Sequence, residues 1–127
     1  MKIVFLGTNG FYDSATGNTI STLIDAKEGY IILDAGFGIP KFIKYLKEDK
    51  PVYLFLTHFH IDHICGLHTL PKWKLKQPLT IFGQVGLKKM LNTIVVRPFT
   101  NSFKKLSYKV NVKELKMGEH NWPFKFE

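Results

Sequence analysis

An almost wholly apolar run, Val52–Leu56, is followed one residue later by a segment that holds three histidines and one aspartate. Such an unbroken apolar run favours a strand that is covered on both faces, as in α/β sheets. The histidine-rich segment begins where this strand ends, and α/β proteins build their sites at the carboxyl ends of strands. This order predicts an α/β fold with a polar site at one edge of its sheet.

Four candidate metal ligands lie in the segment that follows this strand: His58, His60, Asp62 and His63. Imidazole nitrogens and carboxylate oxygens bind zinc well, and they also suit manganese or iron. In an extended loop, side chains two residues apart point the same way, so His58 and His60 can bind one ion. If a helix begins near Asp62, then Asp62 and His63 face a second ion. The spacing therefore predicts two divalent ions, with zinc favoured; a merely polar loop is the less favoured interpretation.

The composition is that of an ordinary folded domain. A chain of 127 residues, 45% of them hydrophobic and 22% charged, fits one domain over residues 1–127. The single cysteine excludes an internal disulfide and favours a reducing compartment, which we expect to be the cytoplasm. No segment holds the roughly 18 consecutive apolar residues that span a bilayer, so we expect no membrane association.

The chain is basic, with 18 lysines and arginines, 10 acidic residues and a net charge of +8. Arg97 is the only arginine, and lysines favour a diffuse positive field over a forked phosphate clamp. Such a field attracts anionic substrates, nucleotides or nucleic acid, although a solvated lysine surface is the simpler explanation. Aromatic residues near lysines could stack on bases, but we expect packed positions instead for Trp73, Phe103, Tyr108 and Trp122.

Apolar patterns and turn residues predict the order of the elements. Strands are predicted over residues 2–6, 19–24, 30–33, 52–56 and 79–82, and helices over residues 39–50, 62–70 and 86–94. Residues 27–29 form a turn, so the second and third strands should make a hairpin. Pro40 suits the first turn of the first helix, and Pro51 ends that helix. The last predicted unit is a hairpin of residues 106–115 and 124–126, with a turn near Gly118.

Five short stretches, taken in their order and spacing along the chain, carry information that the strand and helix patterns do not. They are residues 6–8 (LGT), 17–19 (GNT), 33–36 (LDAG), 57–67 (THFHIDHICGL) and 81–83 (IFG). Together they resemble the metallo-β-lactamase superfamily of metal-dependent hydrolases. The GNT, DAG and ICGL elements are most similar to the branch that holds transfer-RNA 3′-processing nucleases and class II cyclic-nucleotide phosphodiesterases.

The resemblance implies a four-layer αββα sandwich, with this chain supplying mainly the N-terminal sheet and its helices. It also implies that His58 and His60 bind the first metal ion and that Asp62 and His63 bind the second. A hydroxide between the two ions would be the nucleophile, because bound water loses its proton near neutral pH. Among these residues we take Asp62 as the catalytic candidate. Asp34 would orient a metal-binding histidine, or else serve as a helix cap or turn residue.

A complete site of this kind also needs a third histidine, a bridging aspartate and a last histidine, which the resemblance places C-terminal to these strands. Only His68 and His120 remain as spare histidines, and no aspartate follows Asp62. We expect His68 to face away from the motif and His120 to lie in a turn, so neither is a favoured ligand. The domain therefore looks C-terminally incomplete: a truncated form, a chain completed by a second copy or another chain, or a remnant. Half a sandwich should expose an apolar sheet face, which favours association.

These features point to a metal-dependent hydrolase that acts on a phosphodiester, in a small anionic nucleotide or in RNA. A small nucleotide or an unassigned ester is favoured over transfer RNA. The RNA nucleases that this chain resembles usually carry an extra basic arm, and residues 72–76, the nearest basic segment here, are too short to form one. The alternative is a catalytically inactive remnant that binds metal or nucleic acid.

Overall fold

The computed structural model describes residues 1–126, which contain one six-stranded sheet. The strands are β1 (Lys2–Gly7), β2 (Ser21–Asp25), β3 (Tyr30–Leu33), β4 (Val52–Leu56), β5 (Leu79–Gln84) and β6 (Val110–Leu115). Their order in the sheet follows their order in the chain. The β1–β2 and β2–β3 pairs are antiparallel, whereas β3–β4, β4–β5 and β5–β6 are parallel. The carboxyl ends of β3 to β6 therefore meet at one edge.

The helices are short, and several are of the 3₁₀ type. A single α-helical turn, α1 (Ile61–Ile64), continues as a 3₁₀ helix over Cys65–Lys72, and we call these two segments together the motif helix. The longer α-helix is α2 (Leu87–Ile94), and two further 3₁₀ helices span Ile39–Tyr45 and Phe103–Lys105. Within residues 1–126, no helix is long and apolar enough to cross a membrane.

One face of the sheet carries the core. Leu23, Ile32 and Leu54 point to this face from neighbouring strands, and none is exposed to solvent. The rings of Phe42 and Trp73 pack in the same core with their centroids 4.8 Å apart, so Trp73 is buried as predicted. Because each large apolar side chain contributes roughly 1.5–3 kcal/mol on burial, this face supplies most of the stability.

The opposite face is covered over β4 and β5 by the C-terminal segment. Phe55 and Phe82 stack on this face with ring centroids 4.5 Å apart. Phe124 and Phe126 pack against Phe55, at 6.3 and 5.1 Å, and Trp122 packs against Phe82 at 6.1 Å. The predicted exposure of the apolar face is therefore wrong for this half of the sheet.

The same face is open over β1 to β3. Ile3, Phe5 and Leu33 point to it and are 54%, 71% and 36% exposed. For the antiparallel half of the sheet, the prediction of an exposed apolar face is confirmed.

The first predicted helix is shorter than expected. It spans Ile39–Tyr45 rather than residues 39–50, with Pro40 in its first turn as predicted. The backbone N–H groups of Lys47 and Glu48 donate to the Tyr30 hydroxyl at 3.2 and 3.0 Å. These tertiary bonds replace the next helical turn, so the chain leaves the helix before Pro51.

The predicted C-terminal hairpin is also wrong in its pairing. β6 pairs in parallel with β5, with Val112 opposite Ile81, and residues 124–126 form no strand. Only an isolated antiparallel bridge joins His120 to Phe126. The Tyr108 hydroxyl donates to the carbonyl of Leu70 at 2.7 Å, so the connection to β6 is fixed against the motif helix. Long-range parallel pairing with β5, rather than a local hairpin, thus fixes the position of β6.

Candidate metal centre

The histidine-rich segment lies at the edge where the parallel strands end. His58 follows β4 after a single residue, and Asp34 directly follows β3, the parallel neighbour of β4. Parallel pairing thus brings two segments that are far apart in sequence to the same edge. The four candidate residues therefore lie at the carboxyl ends of the parallel strands, and that they form a metal site stays a prediction.

Three imidazoles of the motif lie close together. The ring centroid of His58 is 4.5 Å from that of His60 and 4.0 Å from that of His63. His58 and His63 are partly buried, whereas His60 is exposed at the start of the motif helix. The structure therefore brings together the three histidines that the sequence singles out.

Asp34 is the buried acceptor behind this cluster. Its carboxylate accepts hydrogen bonds from the Thr57 backbone N–H at 2.8 Å and from the Thr57 hydroxyl at 2.9 Å. His63 Nδ1 lies 2.9 Å from Asp34 Oδ2. A carboxylate can only accept, so Nδ1 of His63 is the donor in this bond; in a neutral imidazole the lone pair then lies on Nε2. The structure thus brings Asp34 into contact with a motif histidine, and its role toward a metal stays a prediction.

The backbone of residues 34–36 is joined to the motif helix. The Ala35 N–H donates to the carbonyl of His63 at 2.8 Å, and the Gly66 N–H donates back to the carbonyl of Ala35 at 2.7 Å. A β-carbon on Gly36 would lie 2.5 Å from the Asp62 carbonyl oxygen, closer than any real contact. Glycine is therefore required here, because the two backbones approach each other directly.

Asp62 is held by the loop that follows β1. Its Oδ2 accepts a hydrogen bond from the Phe11 backbone N–H at 2.8 Å and lies 3.7 Å from His63 Nε2. The hydrogen bond from Phe11, helped by the nearby histidines, lowers the pKa of the Asp62 carboxyl below its usual value. An ionised carboxylate next to a free imidazole nitrogen is a suitable pair of ligands for a divalent ion.

The imidazole and carboxylate groups of the motif are chemically suited to bind a metal, but the described residues do not form a complete site. Within residues 1–126, no group of three or more histidine, cysteine, aspartate or glutamate side chains is arranged to hold an ion. Asp34 already engages His63, and Thr57 lies 3.1 Å from His58 Nδ1. The division of His58, His60, Asp62 and His63 between two ions thus stays a prediction.

The two spare histidines make other contacts. His68 Nδ1 lies 2.6 Å from the Cys65 carbonyl oxygen, and its ring meets Phe37 edge to face at 5.4 Å. The ring of His120 stacks on Phe126 at 5.1 Å, and its Nε2 lies 2.9 Å from the carbonyl of Lys116.

Two contributors to this cluster were missed at the sequence level. Thr57 joins Asp34 to the motif through its hydroxyl, and its position directly after β4 was the available signal. The Phe11 contact to Asp62 comes from a backbone N–H, so no side-chain pattern could have revealed it. Asp13 steadies the same loop by accepting hydrogen bonds from Asn18 Nδ2 at 2.8 Å and the Thr19 N–H at 2.5 Å.

The family profile described as "Metallo-beta-lactamase superfamily" matches residues 16–77, a range that includes Asp34 and all four candidate ligands. The crystal structure of the short form of human tRNase Z superposes with a TM-score of 0.71 at 29% identity, over 90% of this chain and 45% of that one. The chain belongs to the metallo-β-lactamase superfamily. The fold class and the family predicted from the sequence are therefore confirmed.

Curated relatives of this metallo-β-lactamase superfamily chain carry the name ribonuclease Z. The Pyrococcus horikoshii protein is 32% identical over 133 residues, which cover 98% of this chain and 43% of the relative. The Methanosarcina mazei protein is 29% identical over 125 residues, which cover 94% of this chain and 40% of the relative. The chain thus spans less than half the length of these relatives, which agree with the predicted nuclease branch.

A more distant structure shows the fold alone. The metallo-β-lactamase fold protein YhfI of Bacillus subtilis superposes with a TM-score of 0.68 at 18% identity, over 93% of this chain.

Proposed function

We propose that this chain forms the metal-binding part of a metal-dependent hydrolase that cleaves a phosphodiester. The observation that carries the proposal is the bond between Asp34 and His63, 2.9 Å long, which aims a second imidazole nitrogen toward the cluster. Carboxylates that accept from a ligating imidazole in this way fix its tautomer and raise its basicity.

In this proposal His58 and His60 hold one divalent ion, and Asp62 and His63 hold the other. Zinc is the favoured metal, with manganese or iron as alternatives. The chemistry that such ions supply is activation of water near neutral pH and neutralisation of charge on the attacked group. The chain's own residues position the ligands: Asp34 keeps the proton on His63 Nδ1, and the Phe11 N–H keeps the carboxylate of Asp62 in place.

For the substrate we favour RNA over a small nucleotide, which reverses the preference drawn from the sequence. The relatives from Pyrococcus horikoshii and Methanosarcina mazei are named ribonuclease Z, and the similar human structure is a tRNase Z. The net charge of +8 is compatible with a polyanionic substrate. The cytoplasmic location stays a prediction.

The remaining metal ligands are expected to come from outside residues 1–127. Four ligands are too few for two ions, because a catalytic site of this type binds each metal through about three protein ligands. A longer form of the chain, a second copy or another chain could supply them. We accordingly propose that residues 1–127 form a single domain that is incomplete without these further ligands.

Metal content and diester hydrolysis test the proposal together. Elemental analysis after removal of loosely bound ions should give close to two metals per chain when the missing ligands are present. Hydrolysis of a chromogenic phosphodiester should be lost in His60→Ala. His120→Ala is the matched control, because His120 lies on Phe126 outside the cluster and should leave activity unchanged.

A second candidate is a catalytically inactive remnant that binds metal or nucleic acid. The observation that favours it is that the described ligand-type side chains of residues 1–126 do not by themselves form a site for an ion. Metal content well below one per chain, with no diester hydrolysis under any metal supplement, would support the remnant and refute the hydrolase for this chain.

A further inference from the structure

The hydroxyl of Thr57 lies between a buried carboxylate and a histidine of the cluster. Its oxygen is 2.9 Å from both carboxylate oxygens of Asp34 and 3.1 Å from His58 Nδ1. The distance from the same oxygen to His63 Nδ1 is longer, at 3.4 Å. His63 instead contacts Asp34 directly, at 2.9 Å. Thr57 therefore links the carboxylate of Asp34 to the ring of His58.

The single proton of this hydroxyl determines the direction of the hydrogen bonds. A carboxylate only accepts, so the contacts at 2.9 Å require the Thr57 hydroxyl to donate to Asp34. If the proton pointed to His58 instead, two oxygens with lone pairs would face each other at 2.9 Å with no proton between them. Because its proton is used, the hydroxyl can only accept from His58, and Nδ1 of His58 is the donor. In a neutral imidazole the lone pair of His58 then lies on Nε2.

The position of the Asp34 carboxylate is fixed by backbone contacts rather than by the histidines. Asp34 is 4% exposed, and its own N–H donates to the carbonyl of Phe55 in β4 at 2.8 Å. Its φ angle is 60°, in the left-handed region that aspartate enters more readily than most residues other than glycine. The carboxylate also accepts the backbone N–H of Thr57 at 2.8 Å. Thr57 thus contacts one carboxylate through both its backbone and its side chain, which restricts rotation of the side chain.

We propose that Thr57 is a positioning residue that extends the orienting effect of Asp34 to His58. One buried carboxylate then sets the tautomers of two histidines, that of His63 directly and that of His58 through the Thr57 hydroxyl. The role of these histidines as ligands rests on the proposed function, in which they belong to different ions. Asp34 would therefore orient one ligand of each ion. Both imidazoles keep a lone pair on Nε2, and a neutral imidazole binds a divalent ion through such a lone pair.

Long-range ¹H–¹⁵N NMR of the 127-residue chain in EDTA, at a pH where the imidazoles are neutral, identifies the tautomer of each histidine. The chain itself provides a reference for either form. His68 Nδ1 donates to the carbonyl of Cys65 at 2.6 Å, whereas His120 Nε2 donates to the carbonyl of Lys116 at 2.9 Å. We expect His58 to show the pattern of His68, with the proton on Nδ1. The pattern of His120 at His58 would overturn the proposal.

Thr57→Val keeps the branched shape of the side chain and removes the hydroxyl. We expect His58 to lose the Nδ1-protonated pattern, whereas His63, which contacts the carboxylate directly, should keep it. Thr57→Ser retains a hydroxyl and should retain the pattern at His58. Thr69→Val is the matched control, because it removes a hydroxyl of the motif helix that donates to a backbone carbonyl at 2.7 Å outside the cluster. An unchanged His58 in Thr57→Val, or equal changes at His58 and His63, would count against the proposal, and the result for the unmodified chain does not depend on how the variants fold.

Zinc competition against a chromophoric chelator gives a second measurement. Loss of a partner that orients a ligating histidine lowers metal affinity by about 10- to 100-fold, so we expect a loss of about tenfold in Thr57→Val. Thr57→Ser should bind zinc as the unmodified chain does. Equal zinc affinity of Thr57→Val and the unmodified chain would refute the role of Thr57 toward a ligand.

The tautomer measurement needs neither metal nor activity, so the two proposals fail separately. A proton on His58 Nδ1 that depends on Thr57, in a chain that shows no diester hydrolysis under any metal supplement, would support the positioning role and refute the hydrolase. Hydrolysis that depends on His60, with the proton of His58 on Nε2, would do the reverse.

Discussion

Replacing Asp34 by asparagine is the sharpest test of how the histidine cluster is organised. The carboxylate is 4% exposed and accepts from Thr57 N, Thr57 Oγ1 and His63 Nδ1 at 2.8, 2.9 and 2.9 Å. Asparagine has nearly the same shape and can still accept the Thr57 N–H bond. Its NH₂ group would then face the Nδ1–H of His63, so two donors would oppose each other. The imidazole relieves this conflict by moving its proton to Nε2, which removes the free lone pair from the cluster.

The expected loss follows from the hydrogen bond that is removed. A hydrogen bond to a charged group contributes about 1.5–3 kcal/mol. Loss of a carboxylate that orients a ligating histidine lowers metal affinity by about 10- to 100-fold, which corresponds to about 1.4–2.7 kcal/mol. The two ranges agree, so we expect zinc affinity to fall by one to two orders of magnitude.

Zinc competition against a chromophoric chelator measures that affinity, and long-range ¹H–¹⁵N NMR of the imidazoles reports the tautomer. Asp25→Asn is the matched control, because Asp25 pairs with Lys50 at 2.6 Å at the opposite end of the sheet. If Asp34→Asn keeps the proton on His63 Nδ1 and binds zinc as the unmodified chain does, the reasoning about Asp34 is wrong.

Three further substitutions test the packing that supports the site. Gly36→Ala places a methyl group against backbone carbonyls, so we expect thermal unfolding to show a loss of about 1–3 kcal/mol, together with weaker zinc binding. Tyr108→Phe removes the buried bond to Leu70, which should cost about 1 kcal/mol in urea unfolding at neutral pH. Burial raises the pKa of Tyr108 in the folded state. The stability that this tyrosine contributes is therefore complete below its unfolded-state pKa of about 10 and decreases as the pH rises above that pKa. In Tyr108→Phe, the free energy of unfolding should decrease less steeply at alkaline pH. Phe82→Ala removes the ring stacked on Phe55 and should lower the free energy of unfolding by about 3–5 kcal/mol, whereas a loss below 1 kcal/mol would show that the C-terminal aromatic segment does not pack there.

Local patterns predicted the parts of the fold that local forces decide. The apolar run Val52–Leu56 forms a central strand, and α2 (Leu87–Ile94) lies within the helix predicted over residues 86–94. The position of His58 after a buried strand was enough to locate the candidate site at the carboxyl edge. In these places each residue's preference and its final environment agree.

The sequence-based predictions were wrong where contacts between residues far apart in the sequence determine the structure. The Tyr30 hydroxyl ends the first helix early, and the Tyr108 bond to Leu70 fixes the connection that leads into β6. Asp62 is held by a backbone N–H, which every residue except proline carries and which no motif can specify. Such contacts follow from the register of the whole sheet, so they become visible only in three dimensions.

The open face of β1 to β3 has a consequence for how this protein behaves in concentrated solution. β1 is an edge strand whose Ile3 and Phe5 side chains meet water, which makes it a template for strand addition by another molecule. The net charge of +8 opposes such encounters at low ionic strength. Because salt shortens the Debye length to about 10 Å at 0.1 M, the repulsion is weaker at physiological salt than at low ionic strength. The solubility of the chain thus depends on two opposing interactions. Electrostatic repulsion comes from the net positive charge of the chain, and attraction comes from the exposed apolar side chains at the β1 end of the sheet.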